Sequence, residues 1–108
     1  MPHIIVEHTD DVKNVAELIS DLHHSLAAQE TVTLNAIKSR AMVVQDAYVG
    51  DTPNGSMIHV TLKLLSGRSG ELRAKMTRDL FSVIKEKVSA NISVTVESIE
   101  LHNESYQK

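Results

Sequence analysis

Twice along this chain a short β-like run leads into an amphipathic helical stripe and then into another β-like run, and few small folds accommodate that order. The first run spans Pro2 to Glu7 and carries Ile4-Ile5-Val6. Thr9-Asp10-Asp11 follows, supplying a helix N-cap and first-turn acids that suit the helix dipole. Val12, Val15, Ile19, Leu22 and Leu26 then recur every three or four residues, which predicts one helix ending near Ala28. Ala36 to Val49 reads as a long strand. Ile37, Ala41, Val43, Ala47 and Val49 lie on one face of it, and Lys38, Arg40, Met42, Val44 and Tyr48 on the other. Asp51-Thr52-Pro53-Asn54-Gly55 has the residues of a hairpin turn.

The second half follows the same plan. Met57 to Leu65 alternates strictly, with Ile58, Val60, Leu62 and Leu64 on one face. Ser66-Gly67-Arg68-Ser69 is a turn in which Ser69 is placed to cap the next helix. Leu72, Met76, Leu80, Phe81, Ile84 and Val88 form that helix's apolar stripe, and Asn91 is its stop. Ile92 to Leu101 is a last strand, and the polar segment His102 to Lys108 is a tail or a contact arm. The expected fold is therefore a single α+β domain over residues 1–108, with pseudo-repeat halves of about 1–52 and 56–108. Two β-α-β units side by side give a four-stranded mixed sheet with two helices on one face. The other face is left bare, and the apolar residues of the long second strand predict that it associates, most simply around a three-fold axis.

Composition excludes several functions. Eleven basic against fourteen acidic residues give a net charge of −3 with no basic tract, which argues against nucleic acid. Aromatic residues make up only 3%, so there are no stacking platforms for bases. No stretch approaches the ~18 apolar residues of a membrane span, and no leader opens the chain, so a cytoplasmic protein is expected. The absence of cysteine removes disulfides, thiolate zinc sites and a thiol nucleophile. The histidines do not fall in a metal-ligand pattern: His23 and His24 are adjacent on a helix and cannot face one ligand, so no metal site is expected.

One constellation does carry chemistry. A small second residue favours removal of the initiator methionine, which would leave Pro2 as a free secondary amine fixed to the start of a strand. Lys38 and Arg40 are two residues apart on one strand and share a face. Arg68 stands just before a helix N-terminus, where unpaired N–H groups favour anions. If the central strands run parallel from a common edge, Pro2 lies level with Met57, and these cations converge beside it. Cations lower the pKa of a neighbouring amine, as a general base near neutrality requires, and they also hold carboxylates. The plainer alternative is that Lys38 and Arg40 are solvated surface charges.

Met1-Pro2-His3-Ile4-Ile5-Val6-Glu7, Ile37-Lys38-Ser39-Arg40, the strand Ile58 to Leu64 and Gly67-Arg68-Ser69 together resemble the 5-carboxymethyl-2-hydroxymuconate isomerase family of the tautomerase superfamily. The similarity runs over nearly the whole chain. It implies a trimer of β-α-β repeats, no cofactor, and an N-terminal proline acting as base, hence Pro2. It further implies that Arg68 stabilises charge and that Lys38 and Arg40 bind an unsaturated 2-hydroxy or 2-oxo (di)carboxylic acid. Lys38 stands where the family has arginine, so the charge is kept and the planar fork is lost. Met42, Val43 and Val44 replace aromatic residues. Other readings of the same residues are a related amine-based hydratase, dehalogenase or decarboxylase, and a non-catalytic trimeric binding module.

Overall fold

The computed structural model describes all 108 residues. Strand β1 (His3–Thr9) leads into helix α1 (Val15–Ala27) and strand β2 (Lys38–Val44). A small hairpin, β3 (Tyr48–Val49) and β4 (Thr52–Pro53), joins this half to β5 (Met57–Leu65), α2 (Gly70–Lys87) and β6 (Ser93–Leu101). The main sheet has the order β2-β1-β5-β6. Its outer pairs, β1/β2 and β5/β6, are parallel, whereas the central pair β1/β5 is antiparallel, with His3 opposite Lys63 and His8 opposite Ile58.

That central pairing corrects the expectation of parallel central strands. Pro2 is not level with Met57. It lies beside the far end of β5, next to the turn that carries Arg68. Each half remains a parallel β-α-β crossover, and the antiparallel junction relates the two halves by a pseudo-two-fold axis.

Strand alternation and helix periodicity build the core together. Ile4 and Val6 from β1 and Ile58, Val60, Leu62 and Leu64 from β5 are fully buried on the face that meets the helices. Leu18, Leu22 and Leu26 of α1 and Met76, Leu80 and Ile84 of α2 recur every four residues and close over them. Phe81 falls outside this stripe and is exposed. Ser69 caps α2 as expected, its hydroxyl accepting from the Leu72 N–H at 3.1 Å.

Three local expectations fail for physical reasons. Helix α1 begins at Val15, not near Asp10, because the capping residues are used elsewhere. Thr9 donates to Asp11 at 2.7 Å and accepts from the Met57 N–H at 3.1 Å, while Ser56 donates to the other Asp11 oxygen. Val12 is buried but lies outside the helix, and the left-handed Asn14 stands at its entry. The long strand breaks after Val44. The hairpin then turns at Gly50-Asp51, where Gly50 has φ 57°, and Asn54 donates its N–H to the Ala47 carbonyl at 2.8 Å.

The uncovered sheet face is mixed in character, with charged and polar side chains set among a few apolar ones. His59 bonds Thr95 at 2.6 Å and Glu97 at 2.5 Å across it, and His3, Lys38, Arg40 and Lys63 share it with Ile5 and Met42. Of the exposed large apolar side chains, Leu34, Met42, Val43 and Tyr48 lie on β2, just before it or on the hairpin, while Ile99 of β6 is on the open face beside Lys63. No helix is long and apolar enough to cross a membrane.

The packing makes two stabilities testable by denaturant unfolding. Leu22→Ala, in the centre of the fully buried stripe, should cost ~2–5 kcal/mol. Ser69→Ala, which removes only the cap of α2, should cost about 1 kcal/mol.

Candidate active site

The start of β1 is held on both sides. Pro2 is fully buried, and its carbonyl accepts from the Lys38 N–H at 3.0 Å, which locks the chain end into the sheet. The amino group of Met1 donates to the Ala36 carbonyl at 2.7 Å, and the Lys38 ammonium donates to the same carbonyl at 3.1 Å. The Lys38 ammonium on the same acceptor disfavours protonation of the Met1 amine. Burial first, then Lys38, and then the charges of Lys108 and Arg68 hold the terminal amine below the ordinary α-amino range.

Arg68 reaches this corner because β5 runs antiparallel to β1. Gly67, with φ 126°, makes the turn out of β5 in a conformation that side-chain-bearing residues rarely adopt. The Arg68 guanidinium then meets the loop after α1, donating from Nε to the Thr31 hydroxyl at 2.9 Å and from Nη2 to the Thr31 carbonyl at 3.0 Å. Thr31 has φ 69°, a left-handed value that costs a β-branched residue on the order of 1–3 kcal/mol. Arg68 also stands at the N-terminus of an 18-residue helix, whose dipole adds to its positive field.

Arg40 does not join this group. It shares the open sheet face with Lys38, as the spacing predicts, but its Nη1 donates to His3 Nδ1 at 3.0 Å. Arginine offers only donors, so Nδ1 must accept and His3 Nε2 carries the proton toward the Tyr106 hydroxyl, 2.8 Å away. Burial, then Arg40, Lys38, the chain terminus and Lys63 lower the His3 pKa, in keeping with this neutral tautomer. The C-terminal segment is thus a contact arm within its own protomer. It turns at Asn103–Ser105, docks Tyr106 on His3 and brings Lys108 to the terminal amine.

Of the residues singled out from the sequence, Pro2, Lys38 and Arg68 come together and Arg40 stands apart. Lys108 and Thr31 were missed. A C-terminal lysine and a loop threonine carry no spacing signal, and only the fold brings them to the first strand. The surface cavities of the protomer lie elsewhere, around Lys13 and Lys87 and around Val49 and Asn91, and none is lined by Pro2. Within one protomer this corner is positively charged, with Lys38, Lys108 and Arg68 all acting on the terminal amine.

A model of 5-carboxymethyl-2-hydroxymuconate isomerase matches residues 2–106. A 5-carboxymethyl-2-hydroxymuconate Delta-isomerase from Escherichia coli is 32% identical over 111 residues, covering 94% of this chain and 88% of that protein. The crystal structure of a 5-carboxymethyl-2-hydroxymuconate isomerase from Deinococcus radiodurans R1 has a TM-score of 0.89 at 24% identity, over 99% of this chain and 87% of that one. A fused 4-OT wild-type symmetric trimer shares the fold, with a TM-score of 0.83 at 14% identity over 94% of this chain and 88% of that one. Matched over nearly its full length by both sequence and architecture, the chain belongs to the 5-carboxymethyl-2-hydroxymuconate isomerase family and is an isomerase on the tautomerase fold.

Proposed function

We propose that this chain moves a proton within an unsaturated 2-hydroxy or 2-oxo (di)carboxylic acid such as 5-carboxymethyl-2-hydroxymuconate, using Pro2 as general base. The observation that carries this reading is the chain terminus itself, seated at the end of a core strand among Lys38, Arg68 and Lys108 with its amine pKa lowered. Removal of Met1 turns the Pro2 nitrogen from an amide into a secondary amine in that environment. The neutral amine takes a proton from the enol oxygen or from a carbon of the conjugated system. The resulting ammonium returns it to another carbon, so no atom or electron is gained or lost overall. Arg68 and Lys38 hold carboxylates and offset the charge that builds on oxygen. The chemistry asks for no cofactor.

We further infer that the working form is a homotrimer. Four of the six exposed large apolar side chains, Leu34, Met42, Val43 and Tyr48, lie on or next to the unpaired β2 edge and the hairpin, as at an interface. The fused 4-OT relative is a symmetric trimer with the same fold. Sedimentation equilibrium should give a species of three 11.9 kDa chains, and a monomer at micromolar concentration would reject the assembly.

Activity should depend on the amine. Enol-to-keto conversion of 2-hydroxymuconate, followed by ultraviolet absorbance, should fall ~10²–10⁴-fold in protein whose Pro2 amine is acylated and in protein that retains Met1 by mass spectrometry. Unchanged turnover in both would remove the amine from the mechanism.

Burial and the cations Lys38, Lys108 and Arg68 lower the pKa of the Met1 amine, and the same cations would act on the Pro2 nitrogen once Met1 is removed. Only the neutral amine accepts a proton, so kcat/KM should rise with pH through the Pro2 amine's pKa, with a midpoint below that of an unperturbed N-terminal proline. Lys38→Ala removes a cation, raises the amine pKa and should move the limb to higher pH, and because a carboxylate-holding group is lost as well, the alkaline plateau should also stand below that of the parent.

A further inference from the structure

We propose that Thr31 is a positioning residue that aims Arg68 at the substrate carboxylate; this rests on the reading of Arg68 as a carboxylate-holding group. Two donors on one edge of the guanidinium, Nε and Nη2, are spent on the Thr31 hydroxyl and carbonyl at 2.9 and 3.0 Å. Both bonds come from one residue, so the plane of the fork is fixed as well as its position. The opposite end remains free, formed by Nη1 and the second Nη2 hydrogen. A carboxylate is therefore met end-on, by the paired terminal nitrogens, and not along the Nε edge.

The loop that carries Thr31 is itself braced. Gln29, two residues earlier, is buried, donates to Asp79 at 2.5 Å and accepts from Lys75 at 3.1 Å, and both of those residues belong to α2. The Val32 N–H closes a turn on the Gln29 carbonyl at 3.4 Å. The loop is thus pinned to α2 by Gln29 and to the residue just before the α2 cap by Thr31. Within that short span Thr31 adopts φ 69°, which a β-branched side chain disfavours, while its side chain stays exposed and adds nothing to the core. A conformation of this kind persists where the surroundings hold it, and here the visible consequence is the orientation of one arginine. Arg68 has no other hydrogen-bond partner in the protomer.

The test is a double-mutant cycle on the trimming-complete protein, with turnover of 2-hydroxymuconate and competitive inhibition by adipate as separate readouts. Thr31→Val keeps the shape and the carbonyl but loses the hydroxyl. It should lower kcat/KM ~10-fold, chiefly through KM, and weaken adipate by a similar factor, as expected for one hydrogen bond to a charged group. Thr31→Ser keeps the hydroxyl and should stay within about twofold of the parent. In an Arg68→Ala background Thr31→Val should have no further effect. Thr31→Gly, which loses the hydroxyl while relieving the backbone, should reproduce the loss of affinity without loss of thermal stability and serves if the valine variant folds poorly. If Arg68→Ala is damaging while the valine and glycine variants match the parent, Thr31 does not position it. The positioning role is equally overturned if valine costs as much with Arg68 absent as with it present. If Arg68→Ala itself leaves both readouts unchanged, the carboxylate role of Arg68 falls, and this inference falls with it.

Discussion

The antiparallel pairing of β1 with β5 is the constraint from which the rest follows. It sets His3 opposite Lys63 and so places the beginning of the chain beside the end of β5. Had the central strands run parallel, Arg68 would lie a full strand length from Pro2, roughly 20–25 Å for strands of this size. The reversal costs nothing in burial, because both strands keep their alternating apolar face toward the helices: Ile4 and Val6 lie opposite Leu62 and Val60. Register is strongly set, since a slip of one residue would turn Ile58, Val60, Leu62 and Leu64 to the open face.

The balance of charge along the sheet follows from the same topology. The net charge of −3 gives no hint of polarity, yet Lys38, Lys63, Arg68 and Lys108 collect at one end. Acidic side chains such as Glu100, beside Arg73, also stand at this end, so the positive character is local to the corner at the terminal amine. A field of this form draws small anions toward the terminal amine and depresses that amine's affinity for protons.

Much of the architecture was legible because periodicity reports burial directly. Met57–Leu65 reads as a strand with the bounds it has in the fold, and the stripes Leu22-Leu26 and Met76-Leu80-Ile84 are those that close the core. Sequence and fold diverge where a residue had two possible partners. Thr9 and Asp11 look like helix caps, and instead form the fastening between the end of β1 and the start of β5. Asn54-Gly55 looks like a hairpin turn, whereas Gly50-Asp51 makes it. Strand direction is not encoded in periodicity at all, so Lys38 and Arg68 could be named as cations but not placed. Arg40 was grouped with them by spacing, but its side chain bonds His3, the residue diagonal to it on β1.

The pseudo-two-fold axis shows why only one corner of the fold is suited to this chemistry. It exchanges the start of β1 with the start of β5, and the turn carrying Arg68 with the turn carrying Asp11. At the second corner the strand starts in mid-chain, so the Met57 nitrogen is an amide, and its N–H is spent on the Thr9 hydroxyl at 3.1 Å. The charged side chain there is a carboxylate, whose pKa Ser56 and then Thr9 lower by donating hydrogen bonds to it. That corner is therefore anionic and fully bonded, where the first is cationic and ends in an amine. The two β-α-β halves supply the same backbone frame twice. The position of the chain end, together with the sign of one turn residue, makes the two copies differ, and the proposed proton transfer fits only the first.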